Sequence, residues 1–124
     1  MLPSADRLLE GLSIFVRRRG LVVQFSRPLL IAAMAEAEAL AADNEHDEPA
    51  SLFYACTRRP GAFGKAGQLI VPFLVQSQAR AVGLELGLEP DDVALILMRL
   101  RVVRGEIGFG ELRDWFALQM RPVP

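Results

Sequence analysis

Ten residues, Arg58-Arg59-Pro60-Gly61-Ala62-Phe63-Gly64-Lys65-Ala66-Gly67, concentrate the groups in this chain that could do chemistry. They join two apolar, helix-patterned segments, residues 50–57 and 68–82, and hold three glycines, one proline, two arginines and the only lysine. Glycine lets the backbone approach a ligand closely, and successive amide N–H groups running into a helix N-terminus form a concavity for anions. Positive charge at Arg58, Arg59 and Lys65 adds to that field. The stretch therefore predicts a phosphate or carboxylate site built from Arg58, Arg59, Gly61, Gly64, Lys65 and Gly67. The competing reading is a plain interhelical turn, in which the glycines relieve strain, Pro60 ends a helix and Phe63 belongs to the core.

Better-known phosphate loops do not fit the spacing. A Walker-type loop needs four residues between its first glycine and Gly-Lys, then a hydroxyl for magnesium. Here two residues separate Gly61 from Gly64, and Ala66 follows the lysine. A dinucleotide fingerprint should follow a strand, and this loop follows a helix. The connection is also longer than the three- or four-residue turn of a helix-turn-helix DNA reader.

Catalytic and metal-binding side chains are scarce elsewhere. One cysteine and one histidine exclude an intramolecular disulfide and a four-ligand Cys/His zinc site. Cys56 falls on the apolar face of a short helix, which predicts a buried, inert thiol. His46 lies in Asp43-Asn44-Glu45-His46-Asp47-Glu48, an acidic run of loop character that lacks the glycine and spacing of a calcium loop. Asp91 and Asp92 stand at a helix start, where capping accounts for them. No catalytic residue and no metal ligand is assigned.

The elements that must position the loop are helical. At 124 residues, 52% hydrophobic and 23% charged, the chain predicts one folded domain over residues 1–124, mainly α, a compact bundle of about six helices. Ser4 and Ser26-Arg27-Pro28 open the first two helices. Pro49 opens a third, and residues 68–82, interrupted by Pro72, form a fourth that Gly83 ends. Glu89-Pro90-Asp91-Asp92 opens a fifth. There Val93, Ile96, Leu97, Leu100 and Val103 form one stripe, with Leu95, Met98 and Val102 on adjoining faces, so the helix is expected to be central and mostly buried. Residues 111–120 form the last helix. A short β-hairpin near residues 13–25 competes with a longer first helix, because Leu21-Val22-Val23-Gln24-Phe25 is β-branched and bounded by Gly20 and Ser26. Residues 84–88 read as a short connection.

Net charge is −1, which gives no bulk attraction to nucleic acid or membrane, and no apolar run approaches the roughly 20 residues that span a bilayer. The N-terminus lacks a secretory pattern, so a cytoplasmic location is expected. Arginine-rich and acidic patches alternate along the chain and read as solvated faces or mutual partners.

The order of short helix, loop containing Pro60 and Gly64, and long helix ending in Gly83 resembles the death-on-curing branch of the Fic/Doc family. The likeness covers about residues 49–120 and includes Gly105-Glu106-Ile107-Gly108-Phe109-Gly110-Glu111-Leu112-Arg113-Asp114-Trp115-Phe116. The family's loop reads His-Pro-Phe-x-Asp/Glu-Gly-Asn-x-Arg. Its histidine is the general base for a target hydroxyl, its acid holds magnesium, and its Gly-Asn and arginine bind nucleotide phosphates. Laid on this chain, Pro60 and Gly64 agree. Arg59 stands at the base, Gly61 at the anchoring phenylalanine, Phe63 at the acid, Lys65 at the asparagine and Gly67 at the arginine. Arginine cannot accept a proton near neutral pH.

The resemblance therefore implies a diverged toxin–antitoxin type protein that lacks nucleotide transfer and retains phosphate or nucleotide (ATP) binding. Its partner would be a protein, an antitoxin or a cellular target, and nucleic acid would be met only through that partner. An active AMP or phosphate transferase with relocated residues is the least favoured version. The alternative is a small helical adaptor or antitoxin-like module without a ligand site, using its amphipathic helices and an edge strand at residues 21–25.

Overall fold

Serine hydroxyls open the first two helices. Ser4 Oγ accepts from the Arg7 N–H at 3.3 Å ahead of α1, Ala5–Arg18, and Ser26 Oγ accepts from the Leu29 N–H at 3.4 Å ahead of α2, Arg27–Leu40. The structure, a computed structural model, describes residues 1–124. A 3-10 turn at Glu45–Asp47 leads into α3, Glu48–Thr57, with Pro49 in its first turn. After the glycine loop, α4 runs Gly67–Ala81 and accommodates Pro72 in its interior, where the ring is buried. Asp92 Oδ1 accepts from the Ala94 N–H at 2.8 Å and starts α5, Val93–Val103; α6 is Phe109–Gln119. Six helices were expected and six form.

The helix α3 is the axis of the molecule. All of its residues except Tyr54 are buried, and α2, α4, α5 and α6 pack around it. Phe53 meets Phe116 of α6 with ring centroids 5.3 Å apart. Of the four polar side chains that are buried, Glu48, Ser51 and Gln78 are paired and Thr57 is not. The Glu48 carboxylate accepts from Gln78 Nε2 at 3.2 Å and lies 2.9 Å from the Met1 amino group, while Ser51 Oγ donates to Glu48 O at 2.9 Å.

Strands form, but not where the β-branched run predicts them. The hairpin near residues 13–25 is absent: α1 continues to Arg18, and the Leu21 N–H closes on Val16 O at 2.9 Å past Gly20, whose φ is +66°. A strand needs a neighbour for its amides, and residues 21–25 have none. Val23 and Phe25 pack on the core while Val22 points fully into solvent. The two strands are instead β1, Leu84–Leu86, and β2, Met120–Pro122, antiparallel with Glu85 opposite Arg121. Pairing is extended by Gly87 N–H to Gln119 O at 2.8 Å and Val123 N–H to Gly83 O at 3.1 Å. On the other edge, the Gln76 side chain accepts from Leu86 N–H at 2.9 Å and donates to Leu86 O at 3.2 Å, as a third strand would. Residues 84–86 are thus strand rather than plain connection.

The helix α5 corrects a second expectation. Its buried residues are Leu95, Met98 and Val102, whereas Val93, Ile96, Leu97 and Val103 are exposed, Val93 by 67% and Leu97 by 56%. The longer apolar stripe faces away from the core, so α5 is a surface helix rather than a central one.

Truncating the ring that α3 sets against α6 should be costly. Phe53→Ala is expected to lower the unfolding free energy by about 3–5 kcal/mol in urea titrations, as for large-to-small changes in a closed core; a loss below about 1 kcal/mol would contradict this packing.

Candidate functional site

The glycine loop leaves α3 and reaches α4 through two 3-10 turns, Pro60–Ala62 and Gly64–Ala66. Its hydrophobic members anchor it. Ala62 and Phe63 are buried, Phe63 meets Phe25 edge-on at 6.3 Å, and the Ser26 N–H donates to Ala62 O at 3.0 Å. Residues 21–26 thus act as an irregular clamp over the loop. Gly64 is required there twice. Its φ is +57°, and a Cβ at that position would come within 3.2 Å of Gln24 O. Gly61 serves packing, since a Cβ on it would stand 3.1 Å from Leu29 Cδ1.

The two arginines of the expected site go elsewhere. Arg58 NH1 donates to Glu36 Oε2 at 2.7 Å, and Arg59 NH1 donates to Glu36 Oε1 at 2.9 Å and to Ala55 O at 3.0 Å. Arg58 also lies over the Tyr54 ring, 5.1 Å from its centroid. One carboxylate of α2 holds both guanidinium groups beside the C-terminal end of α3, where the helix dipole favours cations. Neither arginine lines the cleft described next. They tie α2 to α3 through Glu36.

Gly64, Lys65 and Gly67 do come together, at the rim of a cleft of about 340 Å³ between the end of α3, the loop, the start of α4 and α5. Thr57, Gln68 and Arg99 join them, with Phe63, Val71 and Cys56 as apolar lining and no carboxylate among the lining residues. Lys65 and Arg99 take part in no ion pair or side-chain hydrogen bond within the chain. No side chain caps the first turn of α4, so the positive end of that helix is left to the cleft. Thr57 is 5% exposed, and its Oγ1 is the single buried side-chain polar atom without a hydrogen-bond partner. Leaving a buried hydroxyl unpaired costs on the order of 1–3 kcal/mol. Two free cations and a helix N-terminus on one concavity are groups that can meet an anion with several acceptor oxygens, while the Thr57 hydroxyl is enclosed behind the wall.

Arg99 is the cleft residue that inspection of the loop misses. It lies far beyond the loop in sequence, four residues after Leu95 on α5, at the margin of the face that is buried. Identifying Leu95, Met98 and Val102 as the inner face is what brings Arg99 to the cleft.

Cys56 lies deeper on the same wall. Burial pushes its thiol up to about 12 from an ordinary value of 9.0, only partly opposed by the positive charge of Arg59. His46 is exposed on the far 3-10 turn, its N–H bound to Asn44 Oδ1 at 3.0 Å. No group of three or more His, Cys, Asp or Glu side chains that could hold a metal gathers in the fold, and no helix is long and apolar enough to cross a membrane. No family model, curated protein or solved structure matches this chain, so the cleft is read from its own chemistry.

The Cys56 environment sets an expected outcome. Alkylation near pH 8 should be negligible in the folded protein and complete in denaturant. A raised folded pKa contributes stability that is fully present below pH 9 and is lost as pH rises towards about 12, because the unfolded chain releases the thiol proton first. Rapid labelling of the native protein would contradict it.

Proposed function

We propose that this protein binds a phosphate-bearing ligand in the Lys65–Arg99 cleft and holds it without transferring any part of it. The observation that carries the reading is the pair of unpartnered cations, Lys65 and Arg99, converging with the uncapped start of α4 on a cleft that no carboxylate lines. Lys65 supplies a mobile point charge and Arg99 a fork of donors that matches phosphate oxygens. Gly64 and Gly67 let those oxygens approach the backbone. The volume sits at the lower end of small-molecule sites, suited to inorganic phosphate or the phosphate end of a nucleotide.

Fic/Doc-like descent supplies the finer parts of this reading: ATP as the ligand, a toxin–antitoxin setting, an antitoxin or cellular protein as partner, and a cytoplasmic place. They rest on the order of α3, loop and α4. At the position of that family's base stands Arg59, already engaged by Glu36 and Ala55. This favours binding over transfer. The adaptor reading keeps its amphipathic helices but loses the edge strand at residues 21–25, which does not form.

Thermal unfolding tests the site. Millimolar phosphate or ATP, against chloride at equal ionic strength, should raise Tm by about 5 °C at tenfold saturation. Lys65→Ala and Arg99→Ala should each abolish the rise, and Arg58→Ala should leave it intact. Equal melting with and without both anions would overturn the reading. Thr57→Val separates ligand from fold: the protein should gain about 1 kcal/mol, as a buried unpaired hydroxyl is removed, while the ligand-induced rise is kept.

A further inference from the structure

We propose that the outer face of α5 is a self-association surface, on which two copies of this chain pair α5 against α5, antiparallel, about a two-fold axis. The stripe Val93, Ile96, Leu100 and Val103 advances by three, four and three residues, with Leu97 beside it. That is the spacing of a helix–helix seam. Four of the five are exposed, on the opposite side of the helix from Leu95, Met98 and Val102. A helix that is apolar on both sides needs a cover on both sides, and this chain covers one.

Charge at the two ends of the stripe selects a second copy as the cover. Glu89 and Asp91, just before α5, make no ion pair within the chain. Arg101, in the last turn, makes none either, and Arg104 touches only Glu106, at 3.9 Å between two exposed groups. One end of the seam is therefore acidic and the other basic. A parallel pair would set like charges together. An antiparallel pair centred near Leu97 sets Val93 against Val103, Ile96 against Leu100, and the acidic end of each copy against the basic end of the other. It also opposes the two helix dipoles favourably. A two-fold axis makes every such contact occur twice.

The patch is wider than one helix. Eleven residues of α5 span about 16 Å, too short alone for the roughly 800 Å² per partner of a standard interface. Ile96 and Asp91, however, share a shallow groove with Leu69 and Phe73 of α4, and Leu69 is itself exposed. The extended patch fits a reversible, concentration-dependent dimer.

Sedimentation velocity over a concentration series tests this, with circular dichroism melting as a check that each variant is folded. The wild-type protein should pass from monomer to dimer as concentration rises. Leu97→Glu should weaken the dimer at least roughly tenfold, and Val93→Glu, at a still more exposed position, should do the same. Asp91→Arg and Arg104→Glu should each weaken it, and the two combined in one chain should restore it, since each then meets its new opposite on the other copy. Lys65→Ala should leave association unchanged, which keeps failure here distinct from failure of the anion site. A monomer at every concentration, a dimer indifferent to Leu97→Glu and Val93→Glu, or a double charge variant no better than the singles would each overturn the proposal.

Discussion

Burying α3 on nearly every side is the constraint from which the rest of the arrangement follows. A helix enclosed this way can carry no charge along its length, and its middle is Ala50, Leu52, Phe53, Ala55 and Cys56. Charged groups are confined to the two ends. At the start, Glu48 is met by Gln78 of α4 and by the Met1 amino group. At the finish, Arg58 and Arg59 emerge against the negative end of the helix, and Glu36 of α2 gathers both. Each end is thereby tied to a different neighbour. Removing Glu36 would leave two adjacent like charges at the edge of the core, one of them mostly buried. That tie fixes where the chain leaves α3, and so fixes the path of the glycine loop.

Two kinds of cation follow from this geometry. Arg58, Arg59, Arg27 and Arg121 are spent on carboxylates of other elements, namely Glu36, Asp6 and Glu85. Lys65 and Arg99 are not, although acidic residues outnumber basic ones in the chain. They come from segments far apart in sequence and still open onto one concavity without a carboxylate. Thr57, at the last turn of α3, lines that cleft, so the helix that organises the fold also ends there. A mere turn between helices would require the glycines and Phe63. Such a turn does not by itself bring Lys65 and Arg99 to one concavity.

What the sequence makes legible is local. Ser4, Ser26, Asp92, Gly83 and Gly105 mark helix ends correctly because capping and positive φ depend on a few neighbouring residues. Phe63 and Cys56 read correctly as core for the same reason: their flanks are apolar. The misplaced pieces all depend on distant partners. Residues 21–25 have strand-like side chains, but strand formation is decided by an available edge, and that edge belongs to residues 84–86 and 120–122. Arg58 and Arg59 sit beside the glycines in sequence, but Glu36, more than twenty positions away, claims them. Lys65, Gly64 and Gly67 lie in one stretch of sequence; Arg99 joins their cleft only through the way α5 turns.

That orientation is the point where periodicity alone is silent. In α5 two apolar sets, Leu95–Met98–Val102 and Val93–Ile96–Leu100–Val103, each repeat at helical spacing, and the larger one looks like the core. The smaller set is inside because α3 and α4 offer a seat for one narrow stripe, and Arg99 must clear the core and reach the cleft. Turning the helix to bury the larger set would carry Arg99 away from Lys65 and leave Leu95, Met98 and Val102 in water instead. Arg99, at the margin of the inner face, keeps its guanidinium in the open cleft, where water or a bound anion can receive it. On the proposed reading, the same choice that delivers Arg99 to a phosphate also turns Val93, Ile96, Leu97 and Val103 outwards, so the anion site and the dimer seam are two consequences of one rotation of α5.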